Sequence, residues 1–140
     1  MRKMRHQNHL LERLRAAGLR PTRQRLALAI LLFEGKDRHV TAEQLHAEAS
    51  GVSIRVSLAT VYNTLHQFTA CGLLREIVVD AARSYFDTNT RDHHHFFFKE
   101  SGSIEDIPGE EIVFAKLPKP PAGKTVNRID VVVSIDDESP

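Results

Sequence analysis

The chain has 140 residues, a formal net charge of +1 and a single cysteine. This length supports one ordinary domain or two small ones, and two small domains would gain stability from dimerisation. One cysteine excludes an intramolecular disulfide and favours a reducing, cytoplasmic location. No apolar run is long enough to span a membrane, and the basic N-terminus lacks the apolar stretch of a secretory signal.

The near-neutral net charge conceals an uneven distribution. Residues 1–25 contain eight Arg or Lys side chains and one acid, whereas residues 100–140 contain nine acids and four bases. A basic front half joined to an acidic back half predicts nucleic-acid binding at the front and a different role behind. A pair of solvated charged surfaces is the alternative interpretation.

The front half predicts four short helices. The first carries apolar residues at helical spacing from Leu10 to Ala17 and stops at Gly18. The second runs from near Thr22 to Gly35, and the capping box at residues 41–44 starts the third. Ser57 caps the fourth helix, which ends at Gly72. The apolar stripe of this fourth helix is predicted to be Leu58, Val61, Leu65 and Phe68.

Two strand-like runs follow, residues 74–79 and 83–87, joined by a short turn at residues 80–82. Helices followed by a two-stranded ribbon are typical of a winged helix-turn-helix, in which the fourth helix would enter the major groove. The alternative is a helical bundle with an ordinary polar surface. Candidate base-reading residues are Ser57, Thr60, Tyr62 and Asn63, and candidate contacts to phosphate or the minor groove are Arg20 and Arg23.

The triplet His93-His94-His95 follows the second of these strands. Three consecutive imidazoles are uncommon as core residues, because each ring nitrogen needs a partner when buried. In an extended segment His93 and His95 share one face and His94 points to the other. With the Asp87 carboxylate nearby, this pattern suits Zn²⁺, Fe²⁺ or Mn²⁺, and imidazoles are also common axial haem ligands. A solvated polar loop is the alternative.

The back half predicts a small sheet. Residues 96–98 and 103–107 read as short strands, Glu110–Lys116 as a short helix, residues 117–123 as a Pro-rich connector and Ile129–Ile135 as the best strand in the chain. A sheet this small buries little by itself, so pairing with a second copy is expected. We therefore predict an α+β protein. Residues 1–88 would form a winged-helix DNA-binding domain, and residues 89–140 a small α/β dimerisation and metal- or haem-sensing domain.

Several segments together resemble the ferric uptake regulator (Fur) family: Gly18–Arg25, His39–Glu43, Val56–Leu65 and the His triplet. Within that family the chain most resembles the iron response regulator (Irr) branch of alphaproteobacteria, through Ser84–Asn89, His93–Phe96 and Arg128–Val133. The resemblance runs from about Gly18 to the end of the chain. It implies a dimeric winged-helix repressor or activator of metal-homeostasis genes. An Irr-type member would act when iron is scarce and respond to haem rather than to ferrous iron.

The resemblance also implies the regulatory metal ligands His39, Asp87, His93 and His95, with Asp87 in place of the more usual Glu. A neighbouring second metal or haem would draw on Asp92, His93, His94 and His95. That second site fits less well, because the sequence contains no C-terminal histidine to complete it. Glu110 or Glu111 could substitute for that ligand.

Three departures from the family pattern affect the expected cofactors and operator. The Cys-x-x-Cys positions that hold structural zinc in many members are Phe98 and Ser101 here, so a Cys₄ structural zinc is excluded. The Cys-Pro haem motif of some Irr proteins is absent, which leaves histidines as haem ligands. Asn63 stands where many members have Arg. Arg prefers guanine, whereas Asn suits adenine or contacts only phosphate, so we expect an operator that differs from the usual one.

We expect a cytoplasmic, iron- or haem-responsive transcriptional regulator that binds double-stranded operator DNA as a homodimer and controls iron-homeostasis genes. A haem-delivering protein is a further expected partner, and no membrane association is expected. The alternative is a Fur-type repressor that depends on Mn, Zn or Fe and does not sense haem. A DNA-binding protein that uses the His cluster only as a structural clip also remains open. An enzyme is not expected, because no nucleophile–base pair or Gly-rich phosphate loop is present.

Overall fold

The structure is a computed structural model that describes the backbone of residues 2–139 and the side chains of residues 7–139. The chain forms two compact units, the first ending at Thr90 and the second beginning at Arg91. The sequence placed this boundary two residues earlier, after residue 88. Across the described residues, every helix is too short or too polar to traverse a lipid bilayer.

The first unit contains four helices, α1 (Arg2–Ala16), α2 (Arg23–Phe33), α3 (Ala42–Gly51) and α4 (Leu58–Ala70), as the sequence predicts. Side chains of Thr22, Thr41 and Ser57 begin α2, α3 and α4, each accepting a hydrogen bond from a backbone N–H three residues later. The predicted capping box at Thr41 is complete, because the Gln44 side chain bonds back to the Thr41 N–H. Gly18, at φ +81°, takes the left-handed conformation that ends α1.

The core of the first unit is a single apolar cluster to which all four helices contribute. From α4 it takes Val61, Leu65 and Phe68, each fully buried. The predicted stripe is wrong at Leu58, which is 36% exposed because it occupies the first turn, beyond the edge of the cluster. Thr64, which is outside the predicted stripe, is also buried, since it lies three residues after Val61 on the same side. Its hydroxyl donates to the Thr60 carbonyl at 2.8 Å, so its burial leaves no polar group unsatisfied.

Three antiparallel strands complete the first unit: β1 (His39–Val40), β2 (Arg75–Asp80) and β3 (Arg83–Asp87), in the order β1-β3-β2. The β2–β3 hairpin is the predicted wing, and its turn is held by the Asp80 carboxylate, which accepts the Ala82 N–H at 2.9 Å. The two-residue β1 was not predicted, because so short a strand produces no alternation in the sequence. Its pairing with β3 places His39 directly opposite Asp87.

The second unit is a three-stranded sheet of β4 (His93–Phe98), β5 (Ser103–Pro108) and β6 (Val132–Ile135), ordered β5-β4-β6. Strand β4 is central, antiparallel to β5 and parallel to β6. The His triplet is therefore part of the strand, which begins at His93 rather than at the predicted Phe96. Strand β6 is shorter than predicted, although the Val131 carbonyl still accepts the His95 N–H at 3.1 Å.

The helix predicted over Glu110–Lys116 is wrong. Only a single 3₁₀ turn forms, at Gly109–Glu111, and no side chain caps it. Seven residues without a cap are too few to nucleate a stable helix, and the β-branched pair Ile112 and Val113 follows the turn at once. Val113 is 86% exposed, so no packing compensates for these weaknesses.

Replacing Leu65 by Ala is expected to destabilise the protein by about 2–5 kcal/mol, because it opens a cavity in the apolar cluster. Leu58→Ala is the matched control on the same helix and should cost less than about 1 kcal/mol, since that side chain is partly solvated. Urea denaturation followed by circular dichroism measures both free energies of unfolding. Equal losses for the two variants would contradict the assignment of the buried face of α4.

Candidate functional site

In the first unit, His39 and Asp87 bring an imidazole and a carboxylate together across the β1–β3 pair. His39 Nε2 lies 3.2 Å from Asp87 Oδ2, and the two side chains are 16% and 1% exposed. The other carboxylate oxygen, Oδ1, accepts the backbone N–H of Asn89 at 2.9 Å. One oxygen of Asp87 is thus held by the backbone while the other faces the imidazole, which orients the carboxylate towards a cation.

Arg38 anchors this half of the site to the helices. Its backbone N–H donates to Thr88 Oγ1 at 2.9 Å, and its carbonyl accepts the Thr88 N–H at 3.0 Å. Its guanidinium binds both carboxylate oxygens of Glu48 on α3 and the Leu31 carbonyl on α2. These bonds fix the start of β1, so His39 is presented from a rigid frame rather than from a loose loop.

In the second unit, His93 and His95 share one face of β4, as the strand period predicts. Their ring centroids are 4.5 Å apart. Asp106 on β5 joins them, with its Oδ1 lying 3.5 Å from His93 Nε2 and 3.3 Å from His95 Nε2. The donor atoms of the three residues lie within 4.8 Å of one another, a spacing that a single metal ion can bridge.

The hydrogen bonds of His93 determine which ring nitrogen faces this cluster. Its Nδ1 lies 2.5 Å from the Arg91 carbonyl, which can only accept, so Nδ1 carries the proton. In the neutral ring Nε2 then presents a lone pair towards the Asp106 carboxylate. Two electron-rich atoms that face each other at 3.5 Å gain from a cation between them. A backbone carbonyl on the far nitrogen is also the usual orienting partner of a metal-binding histidine, so these residues fit a divalent ion.

His94 points to the opposite face of β4 and has different chemistry. Its Nδ1 accepts the backbone N–H of Val131 at 3.1 Å, so in the neutral ring the proton sits on Nε2. Coordination through Nε2 would require this hydrogen bond to break. His94 borders a cavity of about 530 Å³ that is also lined by Asp92, Glu110 and Phe114. In the part of the chain that the structure describes, the donor atoms of Asp92, His94 and Glu110 do not converge into a metal-binding group.

The candidate base-reading residues are divided between structural and exposed roles. Ser57 is occupied as the cap of α4, since its hydroxyl accepts the Thr60 N–H and donates to Thr60 Oγ1 at 2.9 Å. Tyr62 and Asn63 lie on the exposed side of α4, and Tyr62 is 37% exposed. The Tyr62 hydroxyl donates to Glu43 Oε1 at 2.7 Å. This hydrogen bond lowers the pKa of the Glu43 carboxyl and raises the pKa of the Tyr62 phenol.

Both predicted phosphate contacts, Arg20 and Arg23, have exposed side chains near the start of α2. The neighbouring Arg25 is engaged within the protein, donating to Gln67 Oε1 at 3.1 Å and to the Arg20 carbonyl at 2.8 Å. These bonds join the start of α2 to the exposed face of α4. Exposed polar side chains of the two helices are therefore held together, an arrangement that suits contacts to a phosphate backbone.

The sequence model of the Ferric uptake regulator family matches residues 16–121. The chain belongs to the Ferric uptake regulator family. Over 94 residues it is 36% identical to the peroxide-responsive repressor PerR of Staphylococcus aureus, an alignment that covers 67% of this chain and 63% of that protein. The chain thus spans less than two thirds of the length of such curated relatives.

Solved structures of the family share this fold. The ferric uptake regulator of Pseudomonas aeruginosa with manganese superimposes with a TM-score of 0.68 at 25% identity, covering 91% of this chain and 97% of that one. The Vibrio cholerae ferric uptake regulator gives 0.70 at 18% identity over 91% and 98% of the two chains, a likeness of fold alone. The predicted α+β class with an N-terminal winged helix is confirmed. Because this family consists of transcription regulators, the prediction that the chain is not an enzyme is also confirmed.

Sequence reasoning did not find two residues of these sites. Asp106 lies opposite His95 in the β4–β5 register. The β4–β5 hairpin could have indicated Asp106. Once Phe98 is paired with Ser103, the antiparallel register pairs His95 with Asp106. Glu43 was noted only as part of a capping box, and nothing local in the sequence connects it with Tyr62, nineteen residues away.

His93→Ala and His95→Ala are each expected to weaken Mn²⁺ binding by more than about tenfold, because even the loss of an orienting partner costs that much. His94→Ala is the matched control from the same strand and should leave the Mn²⁺ affinity within about threefold of the parent value, well below that loss. Isothermal titration calorimetry measures all three dissociation constants. A loss in His94→Ala as large as in His95→Ala would contradict the assignment of faces.

Proposed function

We propose that the protein is a metal-responsive transcriptional regulator that binds operator DNA as a homodimer. The observation that carries this proposal is that each unit holds a set of metal-ligand side chains, with only five residues between Asp87 of one set and His93 of the other. One set, His39 and Asp87, belongs to the winged-helix unit, and the other, His93 and His95 with Asp106, belongs to the second unit. An ion that used both sets would connect the DNA-binding unit with its neighbour.

In this proposal His39, Asp87, His93 and His95 hold one divalent ion, and Asp106 is an additional ligand. Five residues separate Asp87 from His93, and a chain segment of that length reaches at most about 20 Å, so both sets are tethered within reach of one ion. Imidazole and carboxylate ligands suit Mn²⁺, Fe²⁺ and Zn²⁺ alike. When bound, such an ion supplies positive charge that offsets the carboxylates of Asp87 and Asp106.

In this proposal, binding of the metal ion changes DNA affinity because the ligand residues restrict the orientation of the winged-helix unit. His39 is fixed to α2 and α3 by Arg38, and Asp87 ends the wing strand β3, so both move with the recognition helix. His93 and His95 move with the second sheet. Ligation by all four would restrict the angle between the units. The ion can raise operator affinity only as far as it binds more tightly to the arrangement that fits the operator than to the other arrangements.

Homodimer formation is proposed for the second unit. The segment that connects its 3₁₀ turn to β6 leaves apolar side chains exposed, with Val113 at 86%, Val126 at 53% and Leu117 at 50%. Exposed apolar groups on one small unit are typical of a surface that pairs with another copy. A symmetric dimer would present two α4 helices to half-sites one DNA turn apart, or a multiple of it.

Tyr62→Ala is expected to weaken operator binding by about 1–3 kcal/mol, the range of a good base contact, while non-specific binding changes little. Arg23→Ala should weaken binding to all sequences alike and reduce the dependence of affinity on salt, because it removes a phosphate contact. Fluorescence anisotropy with operator and scrambled DNA at several salt concentrations measures both effects. If Tyr62→Ala left the ranking of sequences unchanged, α4 would not be the recognition helix.

Haem-responsive regulation of the Irr type is the second candidate function, and the cavity beside His94 favours it. Its walls combine the imidazole with apolar side chains such as Phe114 and Ile129, and with Arg128, a cation suited to a haem propionate. Axial ligation through His94 Nε2 would displace the Val131 N–H from the ring. A response to peroxide, as in the PerR relatives' names, is a further outcome that the same experiment detects.

Operator affinity should increase when the chelator-treated protein is loaded with Mn²⁺, and His93→Ala combined with His95→Ala should abolish that increase. The same assay is run with haem and with hydrogen peroxide added to the Mn²⁺- and Fe²⁺-loaded protein. Haem-triggered release that is lost in His94→Ala would assign the Irr-type response to the cavity. The proposed function would be contradicted if operator affinity were the same for the chelator-treated protein, the metal-loaded protein and the metal-loaded protein with haem or peroxide added.

A further inference from the structure

The ring of Tyr62 is held at two points before any DNA is present. Its hydroxyl donates to Glu43 Oε1 at 2.7 Å, which ties α4 to the first turn of α3. Its face stacks on His66, with centroids 6.3 Å apart and 18° between planes, and His66 in turn meets Phe86 edge-on at 5.5 Å. A contact side chain fixed in this way loses little conformational entropy when it binds.

The hydrogen bond to Glu43 also decides what the Tyr62 oxygen can recognise. A carboxylate can only accept, so the single phenolic proton is committed to Glu43. The phenol oxygen is then left with lone pairs alone and can bind only a donor. In the major groove the donors are the adenine N6 and cytosine N4 amino groups, whereas guanine O6 and N7 and thymine O4 are acceptors.

We infer that Glu43 is a specificity-determining residue that makes Tyr62 a reader of A·T base pairs. The oxygen of Tyr62 accepts from adenine N6, and its ring contacts the methyl group of the paired thymine. A G·C pair offers an amino group on cytosine but no methyl group for the ring. This inference rests on the proposed function, in which α4 enters the major groove.

The charge of Glu43 gives the inference a second, opposite consequence. Glu43 is exposed, and the bond from Tyr62 favours its ionised form, so it carries a negative charge beside the proposed DNA-binding face. That charge repels phosphates on every sequence, whereas the orientation of Tyr62 helps only where an A·T pair is present. Glu43 therefore lowers non-specific affinity and raises selectivity by the same contact.

The test uses full-length, metal-loaded protein and an operator selected from randomised DNA, in which each position is then changed from A·T to G·C. Tyr62→Phe removes the hydroxyl and keeps the ring, and Glu43→Met removes both the charge and the acceptor of the phenolic proton while keeping a similar size. We expect both variants to lose about tenfold of the preference for A·T at one and the same position, within the range of a single base contact. The double variant should lose no more than either single variant. Glu43→Met alone should also bind scrambled DNA more tightly, because it removes the negative charge.

Glu34→Gln is the control, because it removes an exposed negative charge from the same unit at the end of α2. It should leave the preference for A·T unchanged. The inference is overturned if Tyr62→Phe and Glu43→Met keep the full preference, lose it at different positions, or weaken all sequences alike. Absence of sequence-selective binding by the unsubstituted protein would overturn the proposed function instead, so the two failures are distinguishable.

Discussion

The pairing of the two-residue strand β1 with β3 is the constraint on which the candidate metal ligands of the first unit, His39 and Asp87, depend. It sets His39 opposite Asp87. Arg38, next to His39, is hydrogen-bonded to α2, α3 and Thr88, and these bonds hold β1 against the helices. The wing, α4 and one set of candidate metal ligands are therefore parts of one packed body. Any force that the ligands exert on β1 or β3 reaches α4 through the apolar cluster, since Val40 and Phe86 belong to that cluster.

The second unit uses strand alternation to separate two kinds of histidine. His93 and His95 face Asp106, and the bond from His93 Nδ1 to the Arg91 carbonyl leaves Nε2 as a ligand atom. His94 accepts a backbone N–H and faces a cavity on the other side. One tripeptide thus offers a candidate ion-binding face and a separate wall of a cavity. This separation makes the metal-ion and haem hypotheses distinguishable by single substitutions.

An interaction could be predicted from the sequence when its partners lie close together along the chain. The caps at Thr41 and Ser57 were predictable, because side chain and backbone partner lie three residues apart. The shared face of His93 and His95 followed from the period of a strand. Strand β1 was too short to leave a pattern. The bond between Glu43 and Tyr62 could not be predicted, because it joins residues that only the packing of α3 on α4 brings together.

The proposed function depends most on whether His39 and Asp87 share a single ion with His93 and His95. X-ray absorption spectroscopy of protein loaded with one equivalent of Zn²⁺ tests this directly, because the spectrum reports the number of imidazole ligands per ion. We predict one ion per chain with three imidazoles, falling to two in His39→Ala. An ion with two imidazoles that His39→Ala leaves unchanged would contradict it.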